Sequence, residues 1–172
     1  MKLHIGGKQA HPDWKIFDIE ARPEVDFLGD ASDLSQFENN SIDCIYASHV
    51  LEHFHHGLND ALILTLAEWY RVLKPNGQLL LSVPDLSVLC RLYSEPNISL
   101  EDRMYLMEVI FGGHLDEYDV HYAGLDFEIM NYYLQEVGFR EWHQVEKFDL
   151  FRDCSSQKFK GTYISLNLVI IK

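Results

Sequence analysis

A run of strand-forming residues, Lys2 to Ile5, ends in Gly6-Gly7, and a second, Trp14 to Asp18, ends in a carboxylate. Glycine directly after a strand lets backbone approach a ligand closely, and an acid at the end of the next strand can bind both hydroxyls of a ribose. Gly6-Gly7 falls short of a G-x-G-x-x-G fingerprint and reads equally well as an ordinary tight turn. A third run, Val25 to Leu28, leads into Gly29-Asp30-Ala31. Asp30 has the chemistry to accept from an adenine amino group, and equally the chemistry to hold a turn. In a doubly wound sheet the carboxyl ends of neighbouring strands converge on one crevice, so Gly6, Asp18 and Asp30 are expected to face a single nucleoside.

Nine histidines raise the question of a metal. His49 and His53 are four apart and would share a helix face. Glu52 precedes the second histidine instead of following the first, so the pattern is not H-E-x-x-H. His55 and His56 add donors nearby, but no carboxylate or cysteine completes a recognisable set, and no metal is expected. Further on, His121 lies in the Gly-, His- and Asp-rich stretch Gly112 to Gly124, and Asp85 follows a strand. A histidine with its ordinary pKa of roughly 6.5 can serve as a general base, and Asp85 could accept a hydrogen bond from a substrate. Each also has a plainer reading: a structural hydrogen bond for His121 and a helix cap for Asp85.

These residues need a scaffold, and the sequence alternates strand and helix. Ile42 to Ala47 is rich in β-formers, and Leu58 to Leu73 has apolar residues at helical spacing, stopped by Lys74-Pro75-Asn76-Gly77. Gln78 to Val83 is the near-continuous apolar run of a strand buried on both faces. Leu86 to Tyr93, Leu100 to Phe111 and Phe127 to Val137 read as helices. Glu141 to Phe148 and Thr162 to Ile171 read as strands able to pair antiparallel at one edge. The pattern is an α/β domain with a largely parallel sheet. The gap between the first two strands is too short for a crossover helix.

A chain of 172 residues, 47% hydrophobic, has room for one core, so residues 1–172 form a single domain. Fourteen basic against twenty-seven acidic side chains give a formal charge of -13, which repels polyanions and argues against nucleic acid. Lys147, Arg152, Lys158 and Lys160 make the one local basic cluster, and a solvated surface accounts for it. Cys44, Cys90 and Cys154 suggest neither a disulfide framework nor a zinc knuckle, which fits a reducing cytoplasm. No stretch reads as a secretory leader or a membrane span.

Gly29-Asp30-Ala31, Val50-Leu51-Glu52-His53-Phe54 and Arg71-Val72-Leu73-Lys74-Pro75-Asn76-Gly77 occur in the order and spacing of a known family. Together they resemble the class I S-adenosylmethionine-dependent methyltransferases, in the branch known as methyltransferase type 11. The opening Lys2-Leu3-His4-Ile5-Gly6-Gly7, with Pro12-Asp13-Trp14 and Phe17-Asp18-Ile19, is similar to a compact subgroup that lacks the first helix. The resemblance continues through Asp119 to Gly124 and Leu134 to Phe139, nearly the whole chain. It implies a Rossmann-like seven-stranded sheet in the order 3-2-1-4-5-7-6, mostly parallel with an antiparallel last strand and helices on both faces.

It also implies that S-adenosylmethionine lies across the carboxyl ends of strands 1 to 4. Gly6 and Gly7 would then meet the methionine part, Asp18 the ribose, Asp30 and Ala31 the adenine, and Ser48 with His49 the sulfonium end. The departure is at the glycines: the family's G-x-G-x-G is reduced to Gly6-Gly7-Lys8-Gln9, and no helix N-terminus follows to receive the cofactor carboxylate. Residues 86–125 are expected to form an insertion or lid on the acceptor side. The expected activity is methyl transfer to a small-molecule or sugar-containing (glycan) acceptor by a cytoplasmic protein, with no nucleic-acid or membrane partner and room for a homodimer. The rival is a methyltransferase-like binding or scaffold protein without turnover. A nicotinamide-dependent oxidoreductase fits less well, because the dinucleotide fingerprint is missing.

Overall fold

The computed structural model describes residues 1–172. Its elements are β1 (Lys2–Ile5), β2 (Trp14–Asp18), β3 (Phe27–Leu28), β4 (Ile42–Ser48), α1 (Ala61–Val72), β5 (Leu73–Pro84), α2 (Leu86–Tyr93), α3 (Leu100–Phe111), α4 (Phe127–Val137), β6 (Glu141–Val145), β7 (Lys158–Phe159), β8 (Thr162–Tyr163) and β9 (Ser165–Ile171). Seven strands form one sheet in the order β3-β2-β1-β4-β5-β9-β6, and β7 and β8 form a separate hairpin. Strands β1 to β5 pair in parallel, while β9 runs antiparallel between β5 and β6. This is the expected strand order, with β9 in the place of the seventh strand. No helix is long and apolar enough to cross a membrane.

The bounds shift where local signals compete. The third strand keeps only Phe27–Leu28, and β6 stops at Val145. Helix α1 starts at Ala61, three residues later than its periodicity suggests, because Asn59 and Asp60 sit in the left-handed region and cannot continue a helix backwards. The strand after α1 begins at once at Leu73, taking in the Lys-Pro-Asn-Gly stop with Asn76 in the left-handed region.

Neither link between the first three strands contains a helix, yet both pairs are parallel. Strand length explains this. A strand of four residues is roughly 13 Å long, and a link the length of 6–13 reaches roughly 25 Å, enough to return outside the sheet.

Alternation along the strands divides the sheet into two unlike faces. Leu3, Ile5, Phe17, Ile45, Ala47, Leu79, Leu81, Leu166, Leu168 and Ile170 point one way. They pack with Leu62, Leu66 and Trp69 of α1 and Met130 and Leu134 of α4 in the larger core. The opposite face carries His4, Trp14, Cys44 and Tyr46, and here the segment 146–157 lies over the strands, with Phe148 and Phe151 packed on that cluster. Polar contacts pin the segment. Tyr46 Oη donates to Asp153 at 2.6 Å, and the buried Asn167 Nδ2 donates to the carbonyls of Glu146 and Ser155, both at 2.9 Å. Helices α2 and α3 pack together over Ile164, and α3 buries only Leu106.

His4 is held against Phe151, with ring centroids 4.1 Å apart, and edge-on to Tyr46. Burial pulls its pKa down to about 4, with the facing carboxylates Asp153 and Asp18 opposing the shift in part. The folded state therefore refuses a proton that the unfolded chain accepts. Stability from this group is complete above the ordinary histidine pKa and drains away as pH falls towards 4, by about 3 kcal/mol. His4→Phe is expected to keep the ring packing and remove that loss. Urea unfolding from pH 7.5 to pH 4 should show the variant gaining steadily on the wild type; curves that stay parallel would contradict this account.

Candidate functional site

The carboxyl ends of β1, β2, β3 and β4 open into one cavity of about 590 Å³, within the usual range for small-molecule sites. Its lining includes Gly6 after β1, Asp18 at the end of β2, Asp30 and Ala31 after β3, and His49 after β4. Phe17, Ile19, Val50 and Phe54 provide apolar wall, and Leu115 to Val120 cover one side. Four residues expected from the first two glycine and acid signals, Gly6, Asp18, Asp30 and Ala31, thus share one space.

Each is set by local structure. Gly6 has φ +72, and a Cβ there would lie 2.7 Å from Val50 Cγ2, so the turn needs glycine on both counts. Gly29 runs against the Phe17 ring in the same way and donates its N–H to the Asp18 carbonyl at 2.9 Å. Asp30 Oδ1 accepts from Ser32 N and Oγ at 2.8 and 2.7 Å, a side-chain turn. Helix α1 fixes the stretch from outside: Trp69 Nε1 donates to Ala31 O at 2.8 Å, Leu34 N donates to Glu68, and Arg71 donates to Leu34 O and Phe37 O.

Arg22 is the main addition to the sequence reading. Its guanidinium donates to Asp18 Oδ2 at 2.8 Å and Oδ1 at 3.3 Å, to Gly7 O at 2.9 Å, and to Glu20 and Glu24. One planar fork thereby ties the end of β2 to the glycine turn after β1. The signal was present, since Arg22 is the only cation between Asp18 and Asp30.

The other expected residues fall around the rim or outside it. Gly7 is not in the lining; its carbonyl holds Arg22, and its Cα packs against His4. Ser48 ends β4 with a buried hydroxyl that has no partner and is also outside the lining. His49 lines the cavity with φ 54, an uncommon strain for a non-glycine residue, and its Nε2 meets Ser165 Oγ at 2.9 Å. Asp85 caps α2, accepting from Val88 N at 3.1 Å, because the chain turns into a helix directly after β5; it does not reach the cavity. His121 sits behind the wall, its Nδ1 at 3.3 Å from Ile110 O and its ring edge-on to His53.

Between them lies Glu52, 1% exposed, with neither carboxylate oxygen hydrogen-bonded. Burial pushes its pKa up to about 8 and holds His49 down to about 3, with His121 and His53 adding to the latter. Glu52 Oε1 is 3.5 Å from His49 Nδ1 and 4.0 Å from His121 Nε2. Ligand atoms of Glu52, His53 and His121 come within 4.8 Å of one another. The spacing of His49 and His53 pointed to this region, but the third member is supplied from far along the chain.

Sheet order, one antiparallel strand inserted beside the last parallel one, and a cavity at the carboxyl ends define the class I methyltransferase fold. Residues 11–81 match the family model described as a methyltransferase domain, so that part of the chain carries the family's sequence signature as well. No curated protein matches the chain in sequence. Among solved structures, a SAM-dependent methyltransferase from Archaeoglobus fulgidus superposes with a TM-score of 0.60 at 15% identity, covering 99% of this chain and 85% of that one. A SAM-dependent methyltransferase from Thermotoga maritima, described as a possible histamine N-methyltransferase, gives 0.59 at 18% identity, covering 99% and 81%. The CurJ carbon methyltransferase gives 0.58 at 18%, covering 99% of this chain; the chain spans 47% of that protein's length.

Gly6→Ala is expected to lower stability by about 2 kcal/mol, through left-handed strain plus displacement of Val50. Thermal melting should show a drop of several degrees, and a melt indistinguishable from wild type would mean that the turn is not held as described.

Proposed function

We propose that the chain is an S-adenosylmethionine-dependent methyltransferase acting on a small-molecule or sugar-containing acceptor. The observation that carries this reading is the shared cavity: Gly6, Asp18 and Asp30, remote in sequence, line one space at the converging strand ends. Two structural neighbours that are SAM-dependent methyltransferases, and a third that is a carbon methyltransferase, support it.

The residues present fit the cofactor. Its adenosine would lie against Phe17, Ile19, Val50 and Phe54, with Asp30 and the Ala31 backbone at the adenine edge. Asp18 has a specific remaining capacity. A carboxylate offers about four lone-pair sites, and Glu20 N and Arg22 occupy three of them. One site on Oδ2 is left for one ribose hydroxyl, and the exposed Glu20 beside it, also in the lining, would take the second. Lys8, in the lining near Gly6, would receive the cofactor carboxylate in place of the helix N-terminus that the fold lacks. The remaining acids of the wall, among them Asp116, Glu117 and Asp119, suit a ligand that also carries an ammonium and a sulfonium.

When bound, S-adenosylmethionine supplies an activated methyl group. The chain's part is to orient the two reactants and exclude water, which is the larger share of such catalysis. Residues 86–125 are the acceptor-side lid in this reading, since Leu115 to Val120 and Tyr122 form the part of the wall contributed from beyond β5. His49 and His53 stand where the acceptor would enter. Asp85 and His121 do not line the cavity, so this proposal gives neither a direct contact with the reactants.

Calorimetric titration with S-adenosylmethionine is expected to saturate at one equivalent. Asp18→Asn and Lys8→Ala should each weaken binding about tenfold, the worth of a hydrogen bond to a charged group. Methyl-labelled cofactor should then label a small acceptor in a metabolite screen. No binding at about 1 mM cofactor by folded protein would defeat the proposal, and binding without transfer to any acceptor would favour the scaffold reading.

A further inference from the structure

We propose that Glu52, His53 and His121 form a binding site for a divalent first-row transition cation, next to the cavity and reachable from it. The argument rests on what kind of atom each side chain turns inward. His121 Nδ1 lies 3.3 Å from Ile110 O and His53 Nδ1 lies 3.0 Å from Val120 O. A carbonyl only accepts, so both hydrogens sit on Nδ1 and both Nε2 atoms keep a lone pair. His49 behaves likewise. Ser165 Oγ donates to Cys154 O at 2.8 Å, so it must accept from His49 Nε2, and His49 Nδ1 turns a lone pair towards Glu52.

The ring nitrogens turned towards the centre are therefore all acceptors, and only Glu52 itself could hold a proton there. Glu52 is 1% exposed with both oxygens unpartnered, and an isolated buried carboxylate among lone pairs is costly. The distances from Oε1 to His49 and His121, 3.5 and 4.0 Å, are too long for the hydrogen bonds that a shared proton would make. A cation would engage one inward atom each of Glu52, His53 and His121.

The ligand set suits one class of ion. Two imidazoles and a carboxylate are a common three-ligand set for zinc and its neighbours, with a position left open. Both histidines already donate their other ring N–H to backbone carbonyls, the outer contacts that fix a metal-binding tautomer. Ligands roughly 2.1 Å from a tetrahedral ion lie roughly 3.4 Å apart, so the His121 and Glu52 atoms, 4.0 Å apart, need to close by about 0.6 Å, and the widest pair of the set, within 4.8 Å, by up to about 1.4 Å. Binding calls for that closure from the three side chains. The backbone is itself fixed, since Tyr122 N and Ala123 N both donate to Glu52 O, at 2.8 and 3.2 Å. His53 lines the cavity, which puts the open position within reach of a bound molecule. Where the methyltransferase reading holds, this favours an acceptor with a hydroxyl, because a metal-bound hydroxyl loses its proton near neutral pH without a separate base.

The test uses the full chain, stripped with a chelator and titrated with Zn²⁺ alone, and with Co²⁺ to read coordination from its visible absorption. One saturable equivalent with a Kd below about 10 μM is expected, with the absorption of a four- or five-coordinate ion. His121→Ala should weaken Zn²⁺ binding at least about tenfold. Glu52→Gln, nearly the same shape, should do likewise and serves as the second probe where His121→Ala melts early. His56→Ala, an exposed histidine outside the group, should bind as wild type does. Absent saturable binding by folded wild type, or binding untouched by Glu52→Gln, overturns the site. S-adenosylmethionine titration of the same samples separates the two readings: cofactor binding without zinc binding rejects only the metal site, and zinc binding without cofactor binding rejects only the proposed function.

Discussion

The fork between Arg22 and Asp18 carries a structural task that helices usually perform in doubly wound sheets. With links as short as 6–13 and 19–26, no helix follows β1 or β2, and beyond the last ladder bond, Gly6 N to Phe17 O at 2.9 Å, the sheet leaves a gap between the two turns. Arg22 closes that gap by binding the Asp18 carboxylate and the Gly7 carbonyl together. The pair is partly buried, with side-chain exposures of 22% and 9%, and its planar two-point geometry costs less ordering than a flexible lysine would. The same contacts decide how much of Asp18 remains for a ligand. Scaffold and cavity wall thus draw on one carboxylate.

The sheet's two faces show the other consequence of short links. One face has an ordinary apolar interior under α1 and α4. The other is covered by 146–157, a segment whose backbone cannot satisfy itself as a helix does. The sequence answers with polar groups inside: Asn167 and Tyr46 reach out of the sheet to hold the segment's carbonyls and Asp153, and the aromatic rings of Phe148 and Phe151 supply the burial. Polar residues at strand positions that alternation marks as inward-facing are therefore fasteners for a loop, and Asn167 at zero exposure is the strongest case.

Much of this was legible in the sequence, and the reasons are physical. Strand order came from the family resemblance, whereas the grouping of Gly6, Asp18 and Asp30 follows from parallel topology, because residues at strand ends have little freedom once the strands pair. Apolar periodicity located α2, α3 and α4 closely, since each has a capping residue, Asp85, Ser99 or Asp126, directly before it. Boundaries set by non-local pairing were less visible: β3 ends up with two residues because only Phe17 and Asp18 of β2 are opposite it. Asp85 shows the ambiguity of a single acid, since capping and substrate binding ask for the same chemistry and only the fold separates them. Glu52 was set aside for a different reason. It stands beside His53 in the sequence, but His121 comes from a loop that no local pattern ties to the turn after β4.

That loop joins the two halves of the site mechanically. Residues Leu115 to Val120 form wall of the cavity, and His121 with Tyr122 and Ala123 follow directly, the last two donating to the Glu52 carbonyl. His114 N and Asp119 O close the intervening stretch at 2.9 Å, so the wall cannot shift as independent residues. Any movement that admits a ligand past Leu115 must pivot on the anchored pair at 122–123 or on the end of α3 at Phe111, where His121 N donates to the Phe111 carbonyl at 2.9 Å. Both pivots adjoin the buried histidines. The cavity wall and the Glu52 cluster are therefore joined by a few residues of backbone.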